Sequence, residues 1–129
     1  MRQLAQAFGL AAAFVLGATH NASAFSARFS WSGISACGRT SPAFTIRNAP
    51  KGTESLRFMT SDENAPSFRH GGSTVPYDGS GRVPEGAINY IGPCPPADAV
   101  HRYVWRIEAL DKAGKFIAGT TTEGRFPVH

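Results

Sequence analysis

Cysteine is scarce in this chain: Cys37 and Cys94 are the only two among 129 residues. Two thiolates cannot complete a tetrahedral structural zinc site, and no His-x-x-x-His spacing offers imidazoles to a metal on one helical face. Long apolar runs are missing as well. The first apolar run, from Phe8 to Ala18, reaches only about half the roughly 20 residues that a membrane-crossing helix needs, and no later stretch comes closer. Acidic residues are few, 9 against 13 lysines and arginines, and the net charge is +4 at pH 7. The basic residues are dispersed along the sequence, which argues against the charged stripe that nucleic acid binding requires. No repeat, no low-complexity tract and no sustained helical periodicity follow the first apolar run. Nothing reads as a nucleophile with an adjacent base and a third orienting group.

The N-terminus reads as a secretory signal. Arg2 opens it with positive charge, the Phe8–Ala18 run forms its apolar core, and Ala22-Ser23-Ala24 supplies small residues for cleavage after Ala24. The expectation is a signal peptide over 1–24 and one domain over 25–129, periplasmic or secreted. That domain buries roughly two thirds of its unfolded surface, so a staple would help it. Export would let Cys37 and Cys94 form a disulfide across a long loop; two reduced, buried thiols are the alternative.

Period-two alternation marks the strands. Phe25, Ala27, Phe29 and Trp31 alternate with Ser26, Arg28 and Ser30. Phe44 and Ile46, Leu56 and Phe58, and Tyr103, Trp105, Ile107 and Ala109 alternate in the same way with polar or exposed neighbours, and a last strand is expected from Phe116 to Thr120. Turn chemistry separates them at Ala49-Pro50-Lys51-Gly52, Asp78-Gly79-Ser80-Gly81 and Asp111-Lys112-Ala113-Gly114. Short one-faced strands need a second sheet over their apolar side, so the fold class is all-β, a small antiparallel sandwich.

The richest stretch is Tyr90-Ile91-Gly92-Pro93-Cys94-Pro95-Pro96 followed by His101-Arg102-Tyr103-Val104-Trp105. Three prolines fix φ, and Gly92 can adopt angles closed to other residues, so the loop is shaped before any ligand arrives. The loop and the His-Arg-Tyr strand start resemble the phosphatidylethanolamine-binding protein (PEBP) family, in particular its small bacterial YbhB/YbcL-like branch. Four further segments agree in order: Thr40-Ser41-Pro42-Ala43-Phe44, Ala49–Leu56, Asp62-Glu63-Asn64-Ala65-Pro66 and Val83-Pro84-Glu85-Gly86-Ala87. Together they cover most of residues 25–129. The resemblance implies a compact β-rich fold without the C-terminal helix of larger relatives, and a cis Ala65–Pro66 bond that fixes how Asp62 approaches the site.

Carried over position by position, the resemblance places Asp62, His70, Tyr90, Gly92, Pro93, Cys94, His101 and Tyr103 around a small anionic or phosphate-bearing ligand. The chemistry of these residue types agrees. A phosphate ester offers several acceptor oxygens and negative charge, which imidazole, phenol and free loop amides can satisfy. Asp62 would accept a histidine N–H, fixing the ring's tautomer and favouring its charged form. Each residue also has a plainer role: His70 as a solvated loop residue, His101 and Tyr103 as the edge of the core facing the same way as Trp105, Asp62 as a turn residue, Tyr90 as packing. Two departures stand out. Asn64 replaces a second acid, and Gly71 follows His70 where many relatives carry an aromatic residue.

The expected function is therefore an exported, non-catalytic module that binds a head-group-like anion, without cofactor or metal and without nucleic acid. Its mild positive charge permits weak contact with an anionic membrane surface. The alternatives are a protein-interaction module with an unknown partner, or a hydrolase in which His70, His101 and Asp62 act as acid and base or hold a metal.

Overall fold

The computed structural model describes residues 24–128. The expected signal segment lies outside the described residues except for Ala24. Seven strands follow in chain order: β1 Ser26–Phe29, β2 Phe44–Arg47, β3 Ser55–Asp62, β4 Gly72–Pro76, β5 Arg82–Val83, β6 His101–Leu110 and β7 Phe116–Phe126. There is no helix among the described residues. The strands form two antiparallel sheets, a small one in the order β1-β2-β5 and a larger one in the order β4-β3-β6-β7. The all-β expectation holds.

Alternation explains how the sheets face each other. Ala27, Phe44, Ile46 and Val83 point inward from the small sheet, and Leu56, Phe58, Tyr103, Trp105, Ile107 and Ala109 point inward from the large one. Trp105 joins them: its ring lies 5.1 Å from Phe44 at 82° and 6.1 Å from Phe58 at 81°. These are the edge-to-face arrangements that the ring quadrupole favours. Trp31 closes the same core, its Nε1–H donating to the Gly124 carbonyl at 3.3 Å.

Two strands, β3 and β7, run longer than the change in polarity suggests, and two were not legible at all. β3 continues past Phe58 because its inward row keeps its direction while turning polar, through Thr60 and Asp62. β6 begins at His101, as the His-Arg-Tyr strand start implies. β7 extends to Phe126 rather than ending at Thr120, held by pairing with the whole of β6. β4 buries Val75 alone, and β5 is only two residues long, so neither offers a periodic signal. Gly72 opens β4 at φ 154°, where a Cβ would stand 1.8 Å from the Phe58 carbonyl oxygen. Only glycine lets these two backbones approach there.

Cys37 and Cys94 are joined in a disulfide, 57 residues apart in sequence with Cα atoms 4.5 Å apart. It staples the loop after β1 to the loop before β6. Two backbone bonds of 2.8 Å reinforce the staple, Cys37 N–H to the Pro93 carbonyl and Gly92 N–H to the Gly38 carbonyl. A Cβ on Gly92 would sit 2.6 Å from the Gly38 oxygen. Glycine is thus required at 92 for close approach, not for the unusual backbone angles expected from the sequence.

Candidate functional site

Antiparallel order brings four strand termini to one end of the large sheet: the end of β3, the start of β4, the start of β6 and the end of β7. Along β3 the inward row runs Leu56, Phe58, Thr60, Asp62, so a carboxylate takes the place where the apolar row would continue. Its register partner on β6 is Tyr103. The core-facing layer therefore becomes polar at this end, and His101, Tyr103, Asp62 and His70 gather there.

Asp62 is 3% exposed. Its Oδ2 accepts the His101 Nδ1–H at 2.6 Å, while Oδ1 accepts the backbone amides of Asn64 at 2.8 Å and Ala65 at 3.1 Å. Burial alone would push its pKa up. The hydrogen bond from His101, the Asn64 amide and the charge of His101 outweigh burial and hold it below the ordinary carboxylate value. This turn positions Asp62 without the expected cis Ala65–Pro66 bond. That bond is trans, and the cis peptide among the described residues is Phe126–Pro127. A carboxylate whose pKa is lowered on folding stabilises the fold above its unfolded pKa, and loses that effect as pH falls through the folded value. Asp62→Asn should thus melt below the wild type at neutral pH, by about 2 kcal/mol for a hydrogen bond to a charged group. The gap should close as the pH drops below about 4; thermal melts of both proteins from neutral to strongly acid pH measure it, and a constant gap would contradict this role.

His70 is buried, at 3% exposure, rather than solvated in a loose loop. Its Nδ1–H donates to the Ile91 carbonyl at 2.7 Å, and the Ile91 amide returns a 2.8 Å bond to the His70 carbonyl. This reciprocal pair ties the loop before β4 to the proline-rich loop. Phe68 lies against the imidazole with centroids 4.5 Å apart, supplying the apolar support that Gly71 does not. Both imidazoles lie near Tyr103, with His70 5.4 Å away at 90° and His101 6.4 Å away at 32°. Each ring has its Nδ1 committed to a fixed acceptor. Each leaves Nε2 without a hydrogen-bond partner among the described residues.

The Tyr103 hydroxyl is buried beside the Asp62 carboxylate, without a hydrogen bond of good geometry among the described residues. Burial first, then the neighbouring Asp62 charge, raise its pKa, so it is held as a neutral phenol. A buried hydroxyl left unpaired costs about 1 to 3 kcal/mol.

The remaining expected site residues are tied up in the scaffold. The Tyr90 hydroxyl donates to the Thr40 carbonyl at 3.0 Å, its ring lies 5.3 Å from Trp105, and burial pushes its pKa up to about 12. Pro93 is buried, Cys94 is in the disulfide, and the Gly92 amide is spent on Gly38. The loop amides, expected to be free donors, are bonded within the protein at Gly92 and at its neighbour Ile91. The loop shapes the site through the Ile91 carbonyl, a residue that sequence reasoning passed over because a carbonyl acceptor leaves no trace in residue type. Arg102, between His101 and Tyr103, pairs outward with Glu123 at 2.8 Å. Five surface grooves of 360 to 530 Å³ lie elsewhere, none of them lined by Asp62, His70, His101 or Tyr103.

A two-sheet, all-antiparallel sandwich with a His/Asp/Tyr cluster at one end of its larger sheet defines the class, and comparison with solved structures gives the particular fold. The PEBP homologue of Chlamydia trachomatis superposes with a TM-score of 0.52 at 23% identity, over 70% of this chain and 82% of that one. YbcL of E. coli, described as a member of the mammalian PEBP family, gives a TM-score of 0.49 at 20% identity over the same shares. The likeness to the chlamydial protein shows a PEBP-like fold. No family model and no curated protein matches the sequence.

Proposed function

We propose that the protein is an exported binding module that captures a small phosphate-type anion between His70 and His101, without carrying out chemistry on it. The observation that carries this reading is the pair of imidazoles packed beside Tyr103. The Ile91 carbonyl and the Asp62 carboxylate hold their Nδ1 atoms, at 2.7 and 2.6 Å. Fixing Nδ1 orients each ring and assigns Nε2 to whatever lies outside. In the charged form each Nε2 carries a proton, and two charge-assisted donors suit the oxygens of a phosphate better than any neutral acceptor. Asp62 is nearly sealed from solvent and spent on His101 and two amides, so it acts as the orienting partner rather than as a repelling charge. Export agrees with the signal-like N-terminus and with a disulfide, which persists outside the cytosol.

Calorimetric titration with inorganic phosphate and, separately, glycerophosphoethanolamine tests the reading. Saturable binding is expected, weakened about tenfold by His70→Gln or His101→Gln, the loss of one hydrogen bond of about 1.4 kcal/mol. Binding of phosphate alone would assign the anion itself as the ligand; binding of the ester alone would assign the head group. Equal heats from wild type and both variants would refute the site, and release of ethanolamine or glycerol from the ester would refute the absence of chemistry.

A further inference from the structure

The outward face of the small sheet carries arginines in a pattern that the sequence disguises. Arg28 on β1 is paired in register with Thr45 on β2, and Thr45 with Arg82 on β5. All three are exposed, so one transverse row reads Arg, Thr, Arg. With strands 4.7 to 4.9 Å apart, the two arginine positions stand about 10 Å from each other. Arg47, two residues along β2 and exposed on the same face, adds a third corner about 7 Å from Thr45.

Counter-charges distinguish this face from most of the large sheet, where Arg125 alone among the strand arginines has no carboxylate partner among the described residues. On the large sheet Arg57 and Arg106 pair with Glu108, and Arg102 pairs with Glu123 and Glu63. On the small sheet none of Arg28, Arg47 and Arg82 has a carboxylate partner among the described residues. Asp78 lines the same groove of about 530 Å³ as Arg28, Thr45 and Arg82, but its Oδ1 is engaged by the Ser80 amide at 2.9 Å and it forms no ion pair there. Clustering like charges on one sheet face is unfavourable in isolation, so the arrangement suits an external anion.

We infer that this face docks on an anionic phospholipid bilayer, through phosphate groups received by Arg28, Arg47 and Arg82. The planar fork of a guanidinium matches a phosphate in two-point geometry. Three such forks in a triangle on a pleated sheet present a plane of charge, which fits a plane of head groups. A nucleic acid would be met instead by a line of charge with stacking aromatics, and the exposed position between these arginines is Thr45. The inference shares no residue with the imidazole site and does not depend on it.

Cosedimentation of the protein purified from cells with vesicles of phosphatidylglycerol and phosphatidylcholine in equal parts tests it, with pure phosphatidylcholine as reference. Binding to the mixed vesicles alone, lost at high salt, is expected. The triple variant R28Q/R47Q/R82Q should bind on the order of 100-fold more weakly, given the contribution of each arginine near an anionic surface. The charge-matched triple R57Q/R106Q/R125Q should retain most of the affinity. In the wild type, a lipid-borne spin label should broaden amides of β1, β2 and β5 ahead of those of β3 and β6, a readout that needs no variant to fold. Equal loss from both triples would overturn the assignment to this face. So would vesicle binding abolished by His70→Gln and His101→Gln but not by the arginine triple, or capture of heparin or duplex DNA with no binding to vesicles.

Discussion

Replacing Cys37 and Cys94 together by serine should lower the free energy of unfolding by about 4 kcal/mol, the chain-entropy value for closing a loop of this length. The two cysteines are 57 residues apart and close most of the chain between β1 and β6 into one loop. For a domain this small the loss is a large fraction of total stability, and a fall in Tm on the order of 20 °C should accompany it. Urea unfolding of the variant, and of the wild type with and without reductant, gives the number; unchanged midpoints would mean that the backbone bonds from Cys37 to Pro93 and from Gly92 to Gly38 hold the loops by themselves. Function should suffer beyond stability. The stapled loop carries Ile91, whose carbonyl orients His70, so at temperatures where the variant remains folded its phosphate affinity should also fall.

The second large effect is at Trp105. Its side chain is fully buried and touches aromatic rings from both sheets, including Phe44, Phe58 and Tyr90. Trp105→Ala should cost about 3 to 5 kcal/mol through lost burial and the cavity left behind. Trp105→Phe should cost far less than half of that. The indole Nε1–H is buried without a hydrogen-bond partner, so removing it relieves a desolvation penalty of about 1 to 3 kcal/mol that offsets part of the lost volume. Chemical denaturation of the two variants side by side checks the ratio, and equal losses would show that the indole nitrogen is stabilised in a way the contacts do not reveal.

The two-sheet architecture was legible from alternation alone wherever polarity and direction changed together, as in β2 and in β6 from Tyr103 to Ala109. It became illegible where a strand kept its direction and changed its polarity. Thr60 and Asp62 look like the end of a strand in sequence, yet they continue the buried row of β3. That same switch is the local signal of the site, since a polar residue at an inward position is unfavourable unless it is bonded. The residues Asp62, His70, His101 and Tyr103 could be named from the sequence through resemblance to the PEBP family, and the fold places them at one sheet end. What could not be read was the division of labour among the rest. Whether Tyr90 donates to a ligand or to the Thr40 carbonyl, and whether the Gly92 amide is free or bonded to Gly38, depends on backbone atoms brought close by a crossing of loops. The arginine triangle was hidden for a similar reason. Arg28, Arg47 and Arg82 are scattered in sequence and become neighbours only through cross-strand register.

The most direct test of the account is the state of the four imidazole nitrogens of His70 and His101, read by long-range proton–nitrogen correlation NMR in the absence and presence of inorganic phosphate. The account predicts Nδ1 protonated in both rings throughout, with the two Nε2 resonances shifting together along a single saturation curve as phosphate is added. Nε2 signals that ignore phosphate, or that follow two unrelated curves, would contradict it.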